Sequence, residues 1–244
     1  MKILIWDWPI RIFHWLLAGC LVVAWVTAES DRLLDWHVFA GSLMLVLLGF
    51  RLMWGALGSR HARFSAFPFR PVLAWNYVRR VLTGRTDRHL GHNPAGSLAI
   101  YLMLLLIGLV CGSGLLVLGV EEGHGPLASL FNPKAGDWVR EGHEMLTNLL
   151  LITVAIHVVG VIVASWLHRE NLVVAMLDGR KSGPPEQAIP SARPWVAVGL
   201  GLVLLAYTGW YFSGYTRLAP DKSAVPWMGS LLEDKRLAPF AGRR

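Results

Sequence analysis

The stretch His143-Glu-Met-Leu-Thr-Asn-Leu-Leu-Leu-Ile-Thr-Val-Ala-Ile-His157 decides the fold, because it sets two histidines fourteen residues apart in an apolar run that continues to about Trp166. In an α-helix this separation is about 21 Å along the axis, and it returns the second side chain to within about 40° of the first. One helix therefore presents two imidazoles on one face, at two depths.

The composition of the chain indicates a membrane protein. Hydrophobic residues make up 54% of the 244 residues and charged residues only 16%, a distribution that a soluble domain of this size would not tolerate. The fold class that follows is an all-α integral membrane protein. Five runs are predicted to span the membrane, at about residues Pro9–Thr27, Asp35–Leu57, Gly96–Val117, His143–Trp166 and Trp195–Phe212.

The first apolar run also resembles a signal peptide with a basic flank. A retained helix is the better interpretation, because the run is long enough to span and carries His14 in its first turn. The segment Pro71–Leu82 alternates apolar and polar residues and predicts a short amphipathic helix on the inner lipid headgroups. A nucleic-acid partner is not indicated by the arginines of this region.

Charge distribution predicts the topology. The connection between the second and third spans carries seven arginines, against one basic residue in the first loop and two in the third. By the positive-inside rule this connection and the N-terminus are cytoplasmic, and the acidic third loop faces outward. Parity then places the tail from Ser213 outside, although its basic character argues for the opposite side.

Four of the nine histidines match in depth across the predicted bundle. His14 and His157 come out at a similar inner level, and His37 and His143 at a similar outer level; we call these the inner pair and the outer pair. Such an arrangement suits two bis-histidine haems stacked across a bilayer. The other five are interpreted as solvated or loop-capping side chains: His61, His89, His92, His124 and His168.

Alternatives to haem remain open at this point. Zinc would require further nitrogen, sulfur or carboxylate ligands, which the spans do not supply at the inner level. A proton relay normally includes a carboxylate within the membrane, and hydrogen-bonded structural histidines are a further interpretation. Cys20 and Cys111 lie in apolar runs and no Cys-x-x-Cys-His occurs, so a haem would be held non-covalently.

Two arginines are candidates for binding haem propionates. Arg51 lies fourteen residues after His37, on nearly the same helix face and at the inner level, and Arg11 is close to that level on the first helix. Extension of Arg51 to the inner headgroups explains it equally well. Glycines in the four helices leave room for a porphyrin, but they are also common where membrane helices pack closely.

Together, several motifs resemble the bacterial cytochrome b561 group, which includes the b-type cytochrome subunits related to nickel-iron hydrogenases. They are Phe13-His14-Trp15, the opening Asp35-Trp36-His37 with Gly41, Gly91-His92-Asn93-Pro94-Ala95-Gly96, His143-Glu144 with His157, and Val173 to Arg180. Their order and spacing carry the likeness over about residues 5–181. The resemblance implies a four-helix domain at 1–181 whose two b haems are held by the inner and outer pairs.

The resemblance also implies a function and partners. Electrons would pass between the quinone pool of a respiratory chain and a redox partner at the membrane surface, such as a periplasmic c-type cytochrome. A membrane-anchor subunit of a larger metalloenzyme, such as a hydrogenase or dehydrogenase, is the alternative, and a haem-free structural or transport protein is a third. The expected location is the bacterial inner membrane, with residues 182–213 as linker and fifth span and 214–244 as a periplasmic tail. A single copy and a homo-oligomer are both compatible with the sequence.

Overall fold

The protein is described from a computed structural model, which covers residues 1–84, 87–121 and 136–214 of the chain. Within these ranges it consists of seven α-helices and one two-stranded sheet. The helices are α1 Trp8–Thr27, α2 Leu34–Leu57, α3 Pro71–Leu82, α4 Pro94–Glu121, α5 Gly136–Leu167, α6 Leu172–Asp178 and α7 Pro194–Gly214, and the strands are β1 Lys2–Leu4 and β2 Arg180–Ser182.

Five of the helices in the described part of the chain, namely α1, α2, α4, α5 and α7, are long and apolar enough to cross a membrane. This confirms the all-α fold class and the five predicted spans. Helix α3 has the predicted bounds, and its exposed apolar side chains include Val72 and Trp75 while Ala74 and Tyr77 are buried. The predicted tail after residue 214 and His124 lie outside the described residues.

Helix α1 begins as its sequence predicts. The buried Asp7 accepts a hydrogen bond from the backbone N–H of Ile10 at 3.0 Å and so caps the helix, with Pro9 in the first turn where no backbone donor is needed. The indole Nε1 of Trp54, near the end of α2, donates to the same carboxylate at 3.1 Å. Because α1 and α2 pack against each other, this bond ties the start of one to the end of the other.

The start of α5 differs from the prediction. The helix begins at Gly136, so His143 lies within it rather than at its first residue, and Asp137 and Glu141 belong to the helix rather than to an acidic loop. The prediction stopped where the apolar run stops. The extension has an acidic residue, Asp137, in its first turn, where a negative charge interacts favourably with the helix dipole.

A short antiparallel sheet, which the sequence did not predict, joins the N-terminus to the segment after α6. Strand β1 pairs with β2 in the register Ile3 to Lys181, and the backbone N–H groups of Ile5 and Trp6 donate to the carbonyl of Gly179 at 2.8 and 3.1 Å. Gly179 has φ +79°, and a Cβ there would lie 2.6 Å from the Trp6 carbonyl oxygen. Only glycine fits this position. We call the paired strands the clasp.

The described residues divide into two compact units. The first comprises residues 1–111 and 146–206, and the described part of the second comprises residues 112–121, 136–145 and 207–214. The inner pair, His37, Arg11 and Arg51 belong to the first unit. His143 belongs to the second.

Candidate haem site

The inner pair comes together in the first unit. His14 is carried by α1 and His157 by α5, and the two rings are near enough to interact electrostatically. His14 also makes an edge contact with Trp15, with ring centroids 5.0 Å apart. Its Nδ1 is buried and has no hydrogen-bond partner among the described residues. Two helices distant in sequence thus supply two imidazoles to one place.

The outer pair is held differently. The Nδ1 of His37 lies 2.8 Å from the carbonyl oxygen of Ala24 on α1. A carbonyl only accepts, so Nδ1 carries the proton and the lone pair of the neutral ring is on Nε2. In the second unit, the Nδ1 of His143 lies 3.0 Å from the hydroxyl of Ser113. Partners of this kind set the tautomer and orientation of histidines that bind metals.

Arg51 is buried inside the first unit, with 3% of its surface exposed. Its guanidinium carbon lies 4.7 Å from the ring centroid of Phe64 and 5.7 Å from that of Phe67, so the side chain turns into the protein rather than extending away from it. Asp7 interacts with it electrostatically. Its Nη1 is buried and finds no acceptor in residues 1–84, 87–121 or 136–214.

Arg11 occupies a different position. Its guanidinium carbon lies 4.1 Å from the ring centroid of Trp8, and it interacts electrostatically with Asp178 at the end of α6. The side chain is buried, and its Nε has no acceptor within the described part of the chain. Arg11 therefore faces the junction between α1 and α6, whereas Arg51 faces the aromatic residues beyond α2.

Two histidines interpreted as loop side chains are packed inside the first unit. His61 is buried, and its Nε2 lies 2.8 Å from the carbonyl oxygen of Gln187. His92 is half-buried between Trp6 and Phe67, with ring centroids 4.8 and 4.4 Å away. Burial lowers the pKa of His92 to about 3, and the charge of Arg51 acts in the same direction. The ring is therefore neutral at pH 7.

The residues of the first unit fit a haem with two axial histidines. The described ranges contain no group of three or more His, Cys, Asp or Glu that would hold a metal ion by side chains alone, which disfavours zinc. A bis-histidine haem needs only two protein ligands, and the inner pair offers two imidazoles within one unit. Space is also present: a Cβ added to Gly19, Gly41, Gly49 or Gly160 would meet no described atom within 4 Å.

A buried donor of the first unit supports the same fit. The Nη1 of Arg51 has no acceptor among the described residues, and its burial is costly unless a further group, such as a haem propionate, accepts a hydrogen bond. In the second unit, Gly114 lets the backbone of α4 approach His143, since a Cβ there would lie 3.1 Å from the ring Cε1.

Sequence reasoning also missed Thr147 on α5, whose buried hydroxyl has no partner within the described residues.

The five long apolar helices and their half-buried histidines define the class of protein, a multi-pass membrane protein whose helices carry candidate cofactor ligands. The family is given by comparison: the chain matches the family model of prokaryotic cytochrome b561 over residues 5–179, and it belongs to that family. It is accordingly a b-type membrane cytochrome that binds haem b and transfers electrons in a bacterial membrane.

Curated relatives are consistent with this family. A probable Ni/Fe-hydrogenase B-type cytochrome subunit of Rhizobium leguminosarum bv. viciae is 23% identical, with 74% of this chain and 89% of that protein covered. Proteins with the same description from Azotobacter chroococcum mcd 1 and Cupriavidus necator are 25% and 20% identical. The match to the Azotobacter protein covers 72% of this chain and 86% of that protein. The match to the Cupriavidus protein covers 73% of this chain and 86% of that protein.

Proposed function

We propose that the chain transfers electrons across the bacterial inner membrane through two bis-histidine haems b, between the quinone pool and a redox partner on the periplasmic side. The observation that best supports the proposal is that His14 on α1 and His157 on α5 lie in the same unit, near enough to interact electrostatically. The pairing of His37 with His143 rests on their spacing and on the family resemblance.

Coordination explains why electron transfer suits these residues. When bound, each haem supplies an iron that changes oxidation state by one electron. The imidazoles of the inner pair would hold one haem, and those of the outer pair would hold the other. A haem held by two histidines would carry electrons rather than bind oxygen or substrate. His37 suits iron binding because its proton is on Nδ1, which leaves the lone pair of Nε2 available to the iron.

The orientation proposed here has the N-terminus in the cytoplasm, because of the seven arginines between α2 and α4. The native cysteines are buried, so a cysteine introduced at the exposed Arg70 reports its side of the membrane without interference. We expect Arg70→Cys to react with an impermeant maleimide only after spheroplasts are lysed. Labelling in intact spheroplasts would reverse the proposed orientation.

The haem assignment is tested on the purified chain in detergent. We expect a pyridine haemochrome assay to give two haems b per chain and low-spin spectra. His157→Ala should retain about half of the haem while its helix content, measured by circular dichroism, is unchanged. Fewer than two haems in the natural chain, or full haem content in His157→Ala, would refute the proposal.

The descriptions of the curated relatives favour a second candidate for the partner, a metalloenzyme subunit that this chain would anchor to the membrane. The two candidates differ in the strength of association. A tightly bound metalloenzyme should co-purify in mild detergent and pass electrons to the chain without an added carrier. A c-type cytochrome should dissociate on purification and restore electron transfer when it is added back, with a rate that falls as salt rises.

A further inference from the structure

His92 is placed at the inner pair by a rigid turn. It directly precedes Asn93, whose Oδ1 accepts a hydrogen bond from the N–H of Gly96 at 2.7 Å and so caps the start of α4. The carbonyl of Asn93 accepts from the backbone N–H of Ser97 at 2.9 Å and from its hydroxyl at 3.0 Å. Pro94 restricts the backbone of the preceding Asn93, so the turn that follows His92 is fixed.

The surroundings of His92 place it beside Arg51, since both side chains contact Phe67. The ring is near enough to His157 and Arg51 to interact with both electrostatically, and it is flanked by Trp6 and Phe67. Its Nδ1 is buried without a partner among the described residues. The contrast with His61 is informative, since His61 packs against the same Trp6 but has its Nε2 satisfied by a backbone carbonyl.

Two buried polar atoms here have no hydrogen-bond partner. The Nδ1 of His92 and the Nη1 of Arg51 both lack one within the described residues, and the two side chains contact the same Phe67 ring. Asp7, the nearby carboxylate, is already occupied by the N–H of Ile10 and the indole of Trp54. An acceptor that suits a neutral imidazole and a guanidinium together is a carboxylate.

We propose that His92 binds the inner haem directly, by donating a hydrogen bond from Nδ1 to the propionate carboxylate that Arg51 also contacts. This inference rests on the proposed function, because it needs a haem held by His14 and His157. It adds a fourth structural element to the site: α1 and α5 provide the axial ligands, α2 provides Arg51, and the turn before α4 provides His92.

The test compares three variants of the full chain in detergent. His92→Leu removes the donor at similar volume, His92→Gln restores an N–H donor, and His89→Leu is the control. His89 lies three residues away, contacts Tyr77 rather than the inner pair, and holds its Nδ1 2.9 Å from the carbonyl oxygen of Asp87. Haem content, the midpoint potential of each haem and the rate of haem transfer to apomyoglobin are measured for each.

We expect the midpoint potential of one haem to fall in His92→Leu, because an uncompensated carboxylate stabilises the ferric iron, while the other haem is unchanged. Loss of one haem to apomyoglobin should become roughly tenfold faster or more, since hydrogen bonds to charged groups are worth about 1.5–3 kcal/mol. His92→Gln should recover most of both effects. His89→Leu should match the natural chain.

Other outcomes separate the inference from the proposed function. If the natural chain holds two haems and His92→Leu leaves both potentials and the transfer rate unchanged, His92 does not bind the propionate and the proposed function stands. If His92→Leu lacks one haem while His157→Ala keeps two, His92 is an axial ligand. The inference and the assignment of His157 would then both be wrong.

Discussion

The histidines of the inner and the outer pair differ in how the protein satisfies their second ring nitrogen. His37 and His143 each have an Nδ1 partner, the carbonyl oxygen of Ala24 and the hydroxyl of Ser113 respectively. The Nδ1 of His14 is buried with none in the described ranges. Helix α1 therefore orients His37, a proposed outer ligand, through its backbone, whereas its own His14 packs against the Trp15 ring.

The largest effects should come from removing one ligand of each pair. We expect His14→Ala and His37→Ala each to retain about one haem per chain, and the surviving haems to differ in midpoint potential. Redox titration of both variants measures this directly. Identical surviving haems in the two variants would show that the histidines do not belong to different sites.

Arg51 provides the next test, and it concerns the inner pair alone. Arg51→Leu removes a buried cation close to the proposed propionate, so the midpoint potential of the inner haem should fall while that of the outer haem stays constant. Arg51→Lys keeps the positive charge but loses the planar pair of guanidinium N–H donors, so the midpoint potential of the inner haem should fall by less. An equal shift of both potentials would mean that Arg51 acts through the fold rather than through the inner site.

A smaller effect, confined to the outer haem, is expected from a substitution next to His143. Gly114→Ala places a Cβ 3.1 Å from the Cε1 of His143, so the ring must move by a few tenths of an ångström. We expect the low-spin electron paramagnetic resonance signal of the outer haem to shift, with haem content retained. Gly112→Ala is the matched control, because a Cβ there meets no described atom within 4 Å. A shift in the inner signal would contradict the assignment of His143 to the outer site.

These two regions also show how far the sequence could predict the structure. The spans, and the positions of His14 and His157 within two of them, were predictable because apolar runs and helical spacing depend on local pattern, which membrane insertion enforces. The haem ligation proposed for these histidines stays a prediction. The clasp was not, because strands of three residues carry no period and depend on a partner far away in sequence. The burial of His61 and His92 was missed for the same reason, since loop residues take their environment from tertiary contacts.

The smallest effect concerns the clasp, which joins the N-terminus to the segment after α6. Glu170 accepts hydrogen bonds from the backbone N–H of Ser182 at 3.0 Å and from Arg88 at 3.1 Å, with Lys181 3.8 Å away. Burial alone would raise the pKa of Glu170, but the Ser182 N–H and the charges of Lys181 and Arg88 together lower it below its usual value. The ionised carboxylate therefore stabilises the folded chain.

Because the folded pKa of Glu170 lies below the unfolded one, its contribution is present above the unfolded pKa and is lost as pH falls through the folded value. Glu170→Gln should cost about 1 kcal/mol or less at pH 7, given the partial exposure of the network. The difference in thermal midpoint between the natural chain and the variant should shrink below about pH 4. A difference that stays constant with pH would show that the carboxylate charge does not stabilise the clasp, and that shape and packing do.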